Sequence, residues 1–348
     1  MSWDTARRIL CVRLDSLGDV LMTTPAIQAV RAAAPDRRIT LLTSASGAKV
    51  APMIPCIDET IVYDAPWLKA TTDRGPERDL AMIRMLRSQG FDGAIIFTVF
   101  SQSALPSALL CFLADIPLRI AHARENPYQL LTDWIPDPEP EHGIRHEVAR
   151  QLALVDHIGG VADESRLILR VPRAARRAAH SLLADLGFAI DEPWILLHPG
   201  ATAPSRRYPP SQFAAAARAL DVPVVVTGSA AESRLAALVC RGIGSKAHNL
   251  AGMVELGTLA ALIEAAPVVV TNNTGPAHIA AAVGTPVVDI YALTNPQHTP
   301  WGVPHRVLSH DVPCRNCFRS TCPHGHNDCI RRVEPALVAQ ATRELLEV

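Results

Sequence analysis

The chain is poor in lysine and in aromatic residues, and it lacks the charge imbalance of a nucleic-acid-binding protein. Its basic residues number 33, of which only those at positions 49, 69 and 246 are lysines, and the aromatic share is 5%. The formal net charge is −1 over 348 residues, so no nucleic-acid partner is predicted. A composition of 49% hydrophobic and 19% charged residues is typical of a globular protein and excludes disorder.

Several cofactor motifs are also absent. The sequence contains neither Gly-x-Gly-x-x-Gly nor Gly-x-x-x-x-Gly-Lys-Ser/Thr, which argues against a dehydrogenase and against a P-loop kinase. It contains no Asp-x-Asp pair, so a carboxylate-bound divalent metal at a diphosphate is not indicated. The chemistry must therefore come from other groups.

No charged residue occurs between positions 93 and 114, a length that fits a membrane helix. Pro106 and several Ser, Thr and Gln residues interrupt this stretch, so we predict a buried strand followed by an apolar helix. The charged N-terminus leads directly into a strand and does not resemble a secretory signal. These features predict a cytoplasmic protein.

Short β-branched runs alternate with helical patterns along the whole chain, which predicts parallel sheets with helices on both faces. The length favours two domains, and the Gly-Gly pair at 159–160 with the extended piece that follows it is typical of a linker. We therefore predict an α/β fold of two doubly wound domains around a cleft, with boundaries 1–172 and 173–348. The second domain includes a Cys-rich segment, 314–329, and a C-terminal helix that could pack back on the first domain.

A polar loop follows the first predicted strand. Its sequence from Arg13 to Val20 is Arg-Leu-Asp-Ser-Leu-Gly-Asp-Val, and Gly18 lets the backbone approach a ligand closely. Asp19 stands at the start of the next helix. It is either a functional carboxylate or an ordinary helix cap, and the pattern alone leaves both open.

Three loops of the second domain also follow strands and suit a phosphorylated sugar. Thr202, Arg206 and Arg207 offer a hydroxyl and two forked cations for a diphosphate, although a solvated basic turn has the same composition. Glu232 could accept hydrogen bonds from a ribose or simply stabilise a helix start. The third loop opens a small-residue helix whose N-terminus suits an anion, and its candidate residues are Asn273, Thr274, Gly275 and His278.

Four cysteines cluster near the C-terminus, at Cys314, Cys317, Cys322 and Cys329. In a reducing compartment four close thiols favour a tetrahedral metal over a disulfide pair, but the spacing is not that of the usual paired knuckles. We therefore keep a structural zinc or iron as one interpretation and no metal as the other.

Taken in order, these motifs resemble glycosyltransferase family 9. They are the N-terminal Arg-x-Asp-x-x-Gly-Asp-Val run, His-Pro-Gly-Ala with Arg-Arg-Tyr-Pro, and Asn-Thr-Gly-Pro-x-His. The family contains the ADP-heptose:lipopolysaccharide heptosyltransferases, and the Cys-rich segment resembles the branch that adds the second heptose. The resemblance implies a GT-B fold with Rossmann-like domains, the acceptor in the first and the nucleotide sugar in the second.

The resemblance also implies roles for particular residues. Asp19 matches the catalytic base, and the donor-binding positions fall on Gly18, Thr202, Arg206, Arg207, Glu232, Asn273, Thr274, Gly275 and His278. The family's common Asp before Thr-Gly is Asn273 here, which keeps a hydrogen-bond acceptor and loses the charge. Arg119 and Arg124, with His122, are candidates for binding acidic groups of the acceptor, or else ordinary structural residues.

These expectations amount to an inverting transfer of a heptose from ADP-heptose to an inner-core hydroxyl of lipopolysaccharide. No cofactor is expected for catalysis, and contact with the cytoplasmic face of the inner membrane is expected. Three alternatives stay open at this point. The chain could use a protein or another glycan as acceptor, could be a nucleotide-sugar epimerase, or could bind nucleotide sugars without catalysis.

Overall fold

Two parallel sheets of six strands each organise the chain. The computed structural model describes residues 1–68, 75–162, 164–188 and 192–347, and these fall into two units, Met1–Ile168 and Leu169–Val348. The split lies a few residues before the predicted boundary. The predicted α/β fold of two doubly wound domains is confirmed.

The first unit has strand order β3-β2-β1-β4-β5-β6, with every neighbouring pair parallel. Its elements are β1 Arg8–Arg13, α1 Leu17–Ala33, β2 Arg38–Thr43, α2 Ala45–Ala48, β3 Glu59–Val62, α3 Pro76–Gln89, β4 Gly93–Ile96, α4 Leu105–Leu113, β5 Leu118–Ala123, β6 Asp133–Pro136 and α5 Glu147–Asp156.

The second unit repeats the arrangement with strand order β12-β11-β10-β7-β8-β9. Its elements are α6 Arg173–Asp185, β7 Ile195–His198, α7 Pro210–Leu220, β8 Val224–Val226, α8 Ser233–Ile243, β9 Ala247–Asn249, α9 Leu256–Ala265, β10 Val268–Asn272, α10 Gly275–Val283, β11 Val287–Ile290, β12 His305–Leu308, α11 Asp328–Arg331 and α12 Pro335–Leu346.

Burial explains why these runs form central strands. Strands β4, β7, β8, β10 and β11 are buried along their whole length, as expected for parallel strands covered by helices on both faces. Helix α12 packs on α7 and on strands of the second sheet, where Val338 and Leu345 join the hydrophobic core. Its predicted contact with the first domain stays a prediction.

Each sheet reverses its strand order next to its first strand. In the first unit this switch point lies between β1 and β4, and in the second it lies between β7 and β10. Ligands of open α/β sheets bind at such a point, outside the carboxyl ends of the strands. The fold therefore singles out the loops after β1, β4, β7 and β10.

The predicted alternation of strands and helices is confirmed, and the uncharged stretch forms β4 and α4 as expected. Within the described ranges, no helix combines the length and apolar character needed to cross a bilayer. Strands β5, β6 and β12 were not predicted. Each carries polar or charged residues or proline, such as Arg119 in β5 and Pro136 in β6, which hides the apolar pattern of a strand.

Candidate active site

Asp19 lies in the first turn of α1, directly after the carboxyl end of β1. Ser16 is the N-cap, and the Asp19 carboxylate accepts hydrogen bonds from Ser16 N at 3.0 Å and from Ser16 Oγ at 2.6 Å. The expected helix-capping role is thus real, but Asp19 is the third helical residue and Ser16 is the cap. The other carboxylate oxygen, Oδ1, lies 3.3 Å from Arg13 Nη2, and 15% of the Asp19 side chain is exposed.

Arg13 is fully buried and contacts three carboxylates. Its Nη1 lies 2.8 Å from Glu147 Oε1, its Nε lies 3.2 Å from Asp15 Oδ2, and its Nη2 reaches Asp19. Burial alone would lower the pKa of Arg13, but the carboxylates raise it, so the guanidinium stays protonated. Burial raises the pKa of Asp15 and of Glu147 despite the nearby cation. One fixed positive charge therefore holds Asp19 in place.

Sequence reasoning did not find Glu147. It is 134 residues from Arg13 in sequence, and it belongs to α5, which packs on α1. Gln151, one turn later, donates to Glu147 Oε1 at 2.6 Å and to Thr98 O at 3.0 Å. No local pattern marks this carboxylate as part of the site, since its role depends on which strand end its helix covers.

In the second unit the loops after β7 and β10 are joined at the switch point. Asn272 Nδ2 donates to Pro199 O at 2.8 Å, and Thr271 Oγ1 donates to His198 O at 3.1 Å. Asn272 Oδ1 also accepts the backbone N–H of Tyr208 at 3.0 Å. Asn272 is fully buried, so it fixes the loops and does not offer its amide to a ligand.

The loop after β8 joins the same edge. Glu232 accepts hydrogen bonds from Ser229 N and Ser229 Oγ, both at 2.8 Å, in a capping box. A Cβ on Gly200 would overlap the Glu232 carboxylate, so a larger residue at position 200 would displace that side chain. Burial lowers the pKa of His198 to about 4, and Glu232 acts in the opposite direction. Glu232 thus lies beside the loop after β7, as its candidate role requires.

Helix α10 begins at Gly275 after the N-cap residue Thr274, whose side chain makes no capping bond. Pro276 stands in the first turn, where its missing N–H costs nothing. Thr274 and Gly275 are half-buried, and His278 is 4% exposed. The uncapped N–H groups and the helix dipole make this start a place where an anion is stabilised.

Arg206 and Asn273 belong to one polar cluster. Arg206 Nη2 donates to Asn295 Oδ1 at 3.1 Å, and Asn295 Nδ2 lies 2.7 Å from His298 Nδ1. Asn273 Nδ2 donates to His298 O at 3.1 Å, a bond that an ionised Asp could not make. The side-chain amide of Asn273 therefore has a structural role, because it binds the loop that contains His298.

Asp289 of β11 lies in the same region and is fully buried. Neither of its carboxylate oxygens has a hydrogen-bond partner within the described ranges. Burial raises the pKa of Asp289 well above its ordinary value, and Arg206 offsets this only in part. The sequence analysis did not single out this residue.

Thr202 and Arg207 are exposed in the loop after β7. Arg207 Nε donates to Ala201 O at 2.7 Å, which uses part of its guanidinium within the loop. Gly18, which directly precedes Asp19, is buried in the first turn of α1. The structure thus places Arg206, Glu232 and the loop around Gly275 at the carboxyl ends of the strands of the second sheet. Gly18 and Asp19 lie at the carboxyl end of β1 in the first sheet.

The structure favours a structural role for Arg119. It is 8% exposed, and its guanidinium donates to the backbone carbonyls of Ile116, Pro117, Gln129 and Leu130. His122 is 4% exposed, and burial, with Arg150 and Arg145 nearby, lowers its pKa to about 4. Arg124 is exposed. Of these three candidates for an acidic acceptor, only Arg124 keeps its charged end at the surface.

The four clustered cysteines are not arranged as a metal centre. Among the described residues, no group of three or more His, Cys, Asp or Glu side chains is placed to hold a metal ion. Cys314 Sγ lies 3.8 Å from His326 Nε2, and backbone N–H groups of residues 324–327 lower the pKa of Cys322 against the effect of its slight burial. The structure therefore does not support the zinc or iron site, which the sequence left as one of two interpretations.

Known proteins of one family are similar to this chain. The sequence profile of glycosyltransferase family 9 (heptosyltransferase) matches residues 80–327. Lipopolysaccharide heptosyltransferase 2 of Salmonella typhimurium is 27% identical over 305 residues, which cover 84% of this chain and 85% of that protein. The same-named protein of Escherichia coli K12 is 26% identical over 303 residues, with 84% and 85% covered.

Among solved structures, the family 9 glycosyltransferase of Veillonella parvula matches with a TM-score of 0.81 at 22% identity, covering 100% of this chain and 98% of the other. This likeness supports the fold.

Proposed function

This chain belongs to glycosyltransferase family 9, and on that premise we propose that it transfers a heptose from ADP-heptose to a hydroxyl of the lipopolysaccharide inner core. The observation that carries the proposal is the placement of Asp19. Its carboxylate is held at the carboxyl end of β1 by Arg13 and Ser16 and keeps an exposed portion. The heptosyltransferases named above support a heptose as the transferred sugar and lipopolysaccharide as the acceptor.

The proposed reaction is an inverting displacement. The oxygen of an acceptor hydroxyl forms a bond to the anomeric carbon, and the bond from that carbon to the diphosphate oxygen breaks. ADP leaves with the bonding electrons, and the hydroxyl proton passes to Asp19. A positioned general base of this kind contributes about 10²–10⁴-fold.

The second unit supplies the groups that hold the donor. Arg206 is the proposed diphosphate cation, and the uncapped start of α10 at Thr274 and Gly275 stabilises the charge that develops on the leaving group. Glu232 is the proposed ribose contact. The remaining residues proposed to bind the donor in the second unit are Thr202, Arg207, Asn273 and His278. Gly18, next to the proposed base Asp19, is the proposed donor-binding residue of the first unit.

We propose that this reaction needs no metal ion. A guanidinium and a helix N-terminus give the positive field that a divalent cation supplies in other transferases. The lack of any Asp-x-Asp pair in the sequence agrees with this. Transfer measured with excess EDTA and with added Mg²⁺ should differ by less than about twofold if the charge is supplied in this way.

We also propose that the protein rests on the cytoplasmic face of the inner membrane through α4. Leu109, Phe112 and Leu113 are 45%, 43% and 41% exposed and share one face of that helix. Arg87 lies beside the end of α4, because its Nη2 donates to Leu113 O at 2.9 Å. An apolar face next to an exposed cation suits a surface of anionic lipid, where a lipid-linked acceptor is found.

A transfer assay with the full chain tests the proposed function. Purified protein is incubated with ADP-heptose and lipopolysaccharide truncated at the inner core, and the product mass and released ADP are measured. Asp19→Asn should abolish transfer and leave donor affinity nearly unchanged, whereas Asp36→Asn, at an exposed position of the same unit, should retain activity. Loss of donor binding in Asp19→Asn would contradict the assignment.

The same assay separates the alternatives. Transfer to a polypeptide or another glycan, with none to lipopolysaccharide, would identify a different acceptor. Donor binding without Asp19-dependent transfer or hydrolysis would identify a non-catalytic protein. Asn273 in place of the family's common Asp does not favour a non-catalytic protein, since its amide donates a structural hydrogen bond to His298 O.

A further inference from the structure

A cavity of about 320 Å³ opens at the switch point of the first sheet. Its walls come from the carboxyl ends of β1 and β4, from the loop after β3 and from the start of α4. The volume is at the lower end of the range for small-molecule pockets, about 300–1,000 Å³, so it suits one sugar ring better than a longer chain. None of the residues assigned above to the donor lines it.

One wall of the cavity is polar. Gln102 Nε2 donates to Asp15 Oδ1 at 2.7 Å, and Asp15 Oδ2 lies 3.2 Å from Arg13 Nε. This leaves the Gln102 amide oxygen as a further acceptor for a ligand hydroxyl. Arg13 contacts both Asp15 and Asp19, so the polar wall lies beside the proposed catalytic base.

Thr98 supplies an independent sign of a ligand. It lines the cavity, is 9% exposed, and its Oγ1 is buried without a hydrogen-bond partner among the described residues. A buried hydroxyl that stays unpaired has a free-energy cost, because it has lost its hydrogen bonds to water. A ligand hydroxyl in the cavity would remove that cost.

The lining also includes an aromatic side chain. Trp67 lines the cavity with 38% of its surface exposed, and its ring is held edge-on by Tyr63, with the ring centres 5.8 Å apart and the planes at 70°. Tyr63 is itself fixed, because its hydroxyl donates to Asp79 Oδ1 at 2.8 Å. An indole and hydroxyl acceptors that line one cavity suit the two faces of a sugar ring, one of C–H groups and one of hydroxyls.

The charge of the cavity limits which ring it accepts. Among the described residues that line it, the Asp15 carboxyl is the one ionisable group. A carboxylate or phosphate on the bound ring would face this carboxyl at short range in a partly desolvated place, and like charges there repel. An uncharged ring with several hydroxyls meets no such penalty.

We propose that this cavity is the acceptor subsite for one uncharged pyranose ring, which Asp15 and Trp67 select over an acidic ring. The inference rests on the proposed function, because it takes Asp19 as the base beside the subsite. It replaces the expectation of an anionic contact through Arg119, whose guanidinium is already bound to backbone carbonyls. Acidic groups of the acceptor then lie outside this cavity.

The test uses two probes that differ in one charged group, methyl α-mannopyranoside and the corresponding methyl mannopyranosiduronate. Binding to the full chain is measured by ligand-observed saturation-transfer NMR, without donor. The neutral glycoside should bind at least about tenfold more tightly than the uronate, which corresponds to about 1.4 kcal/mol of repulsion. Asp15→Asn should reduce this preference to less than about threefold.

Two further variants test the walls. Trp67→Ala should weaken binding of the neutral glycoside about tenfold, whereas Trp134→Ala, at a tryptophan of similar exposure outside the cavity, should not. Thr98→Val should weaken it about fivefold without lowering the urea midpoint, because no residue in the described part of the chain bonds to the lost hydroxyl. A purely structural role for Thr98 would leave glycoside binding unchanged.

Equal affinity for both probes in the unsubstituted protein would overturn the proposal, as would wild-type binding by Trp67→Ala. The proposed function is tested separately by Asp19-dependent transfer from ADP-heptose. If the glycoside preference and the variants behave as expected while no transfer occurs, the subsite stands and the proposed function fails.

Discussion

Arg13 Nη1 and Glu147 Oε1 lie 2.8 Å apart in the interior of the first unit, although the two residues are 134 positions apart in the chain. The guanidinium that Glu147 holds is also the group that reaches Asp19. Glu147 is therefore a positioning residue for the proposed base. It contacts no substrate and acts through Arg13.

Glu147→Gln should lower kcat about tenfold while the KM for ADP-heptose stays within about twofold, because the base is less firmly held but the donor site is untouched. Gln keeps an oxygen that can accept from Arg13, so the loss should be partial. Steady-state kinetics with varied donor gives the split between kcat and KM.

Glu147→Ala removes that acceptor and leaves Arg13 buried with fewer partners. Breaking a buried pair in this way costs about 3–5 kcal/mol, so urea unfolding should show a much larger loss of stability for Glu147→Ala than for Glu147→Gln. Equal stability of the two variants, or a rise in donor KM alone, would argue against the positioning role.

Arg206→Ala should raise the dissociation constant for ADP about 10- to 100-fold, since a charge-assisted hydrogen bond contributes about 1.5–3 kcal/mol. Isothermal titration calorimetry measures this directly. Arg207→Ala should have a smaller effect, because Arg207 Nε already donates to Ala201 O. Arg177, exposed on α6 of the same unit, is the matched control, and its Ala variant should bind ADP normally. Larger losses at Arg207 than at Arg206 would reverse the assignment.

Asp289→Asn should change how stability depends on pH. Burial raises the pKa of Asp289 well above its value in the unfolded chain, so above about pH 4 the folded state binds the proton that the unfolded state releases. Its contribution to stability is therefore present at low pH and is lost as pH rises towards the folded pKa, by up to about 1.4 kcal/mol per pH unit.

The variant lacks this titration, so its free energy of unfolding minus that of the wild type should increase from pH 5 to pH 8. Urea unfolding at several pH values gives the difference. Asp185→Asn, at an exposed position of the same unit, should give a difference that does not change with pH. A flat difference for Asp289→Asn as well would mean that Asp289 is ionised in the folded protein.

Replacing Leu109, Phe112 and Leu113 together by Ser should reduce binding to anionic phospholipid vesicles about 100-fold, on the basis of about 1 kcal/mol for each partly inserted side chain. Vesicle co-sedimentation measures it. Leu337→Ser, at a leucine that is 43% exposed on α12, serves as the control. Transfer to a short lipid-free acceptor should stay within about twofold of wild type. Unchanged sedimentation would exclude α4 as the contact.

Most of the fold and part of the site could be predicted from the sequence, since both rest on local signals. Strands such as Val268–Asn272 are continuous apolar runs bounded by polar turns, and their alternation with helices determines the two parallel sheets. Asp19, Arg206 and the turn at Gly275 belong to the segments that connect a strand to the next helix, so their position at a ligand-binding edge follows from chain order. Strands with interrupted patterns, such as Leu118–Ala123 with Arg119, carry no such signal.

The pairing of distant groups was decided only by the tertiary structure. The strand order brings the end of β1 beside β4, and the packing of α5 on α1 brings Glu147 to Arg13, so neither contact is encoded within any short window. The same holds for Arg119, whose charge is used by carbonyls of a neighbouring loop, and for Asp289, whose burial no local pattern reveals. Local propensity depends on neighbours within a few residues, whereas charge, burial and hydrogen bonding depend on which surfaces meet once the sheet has formed.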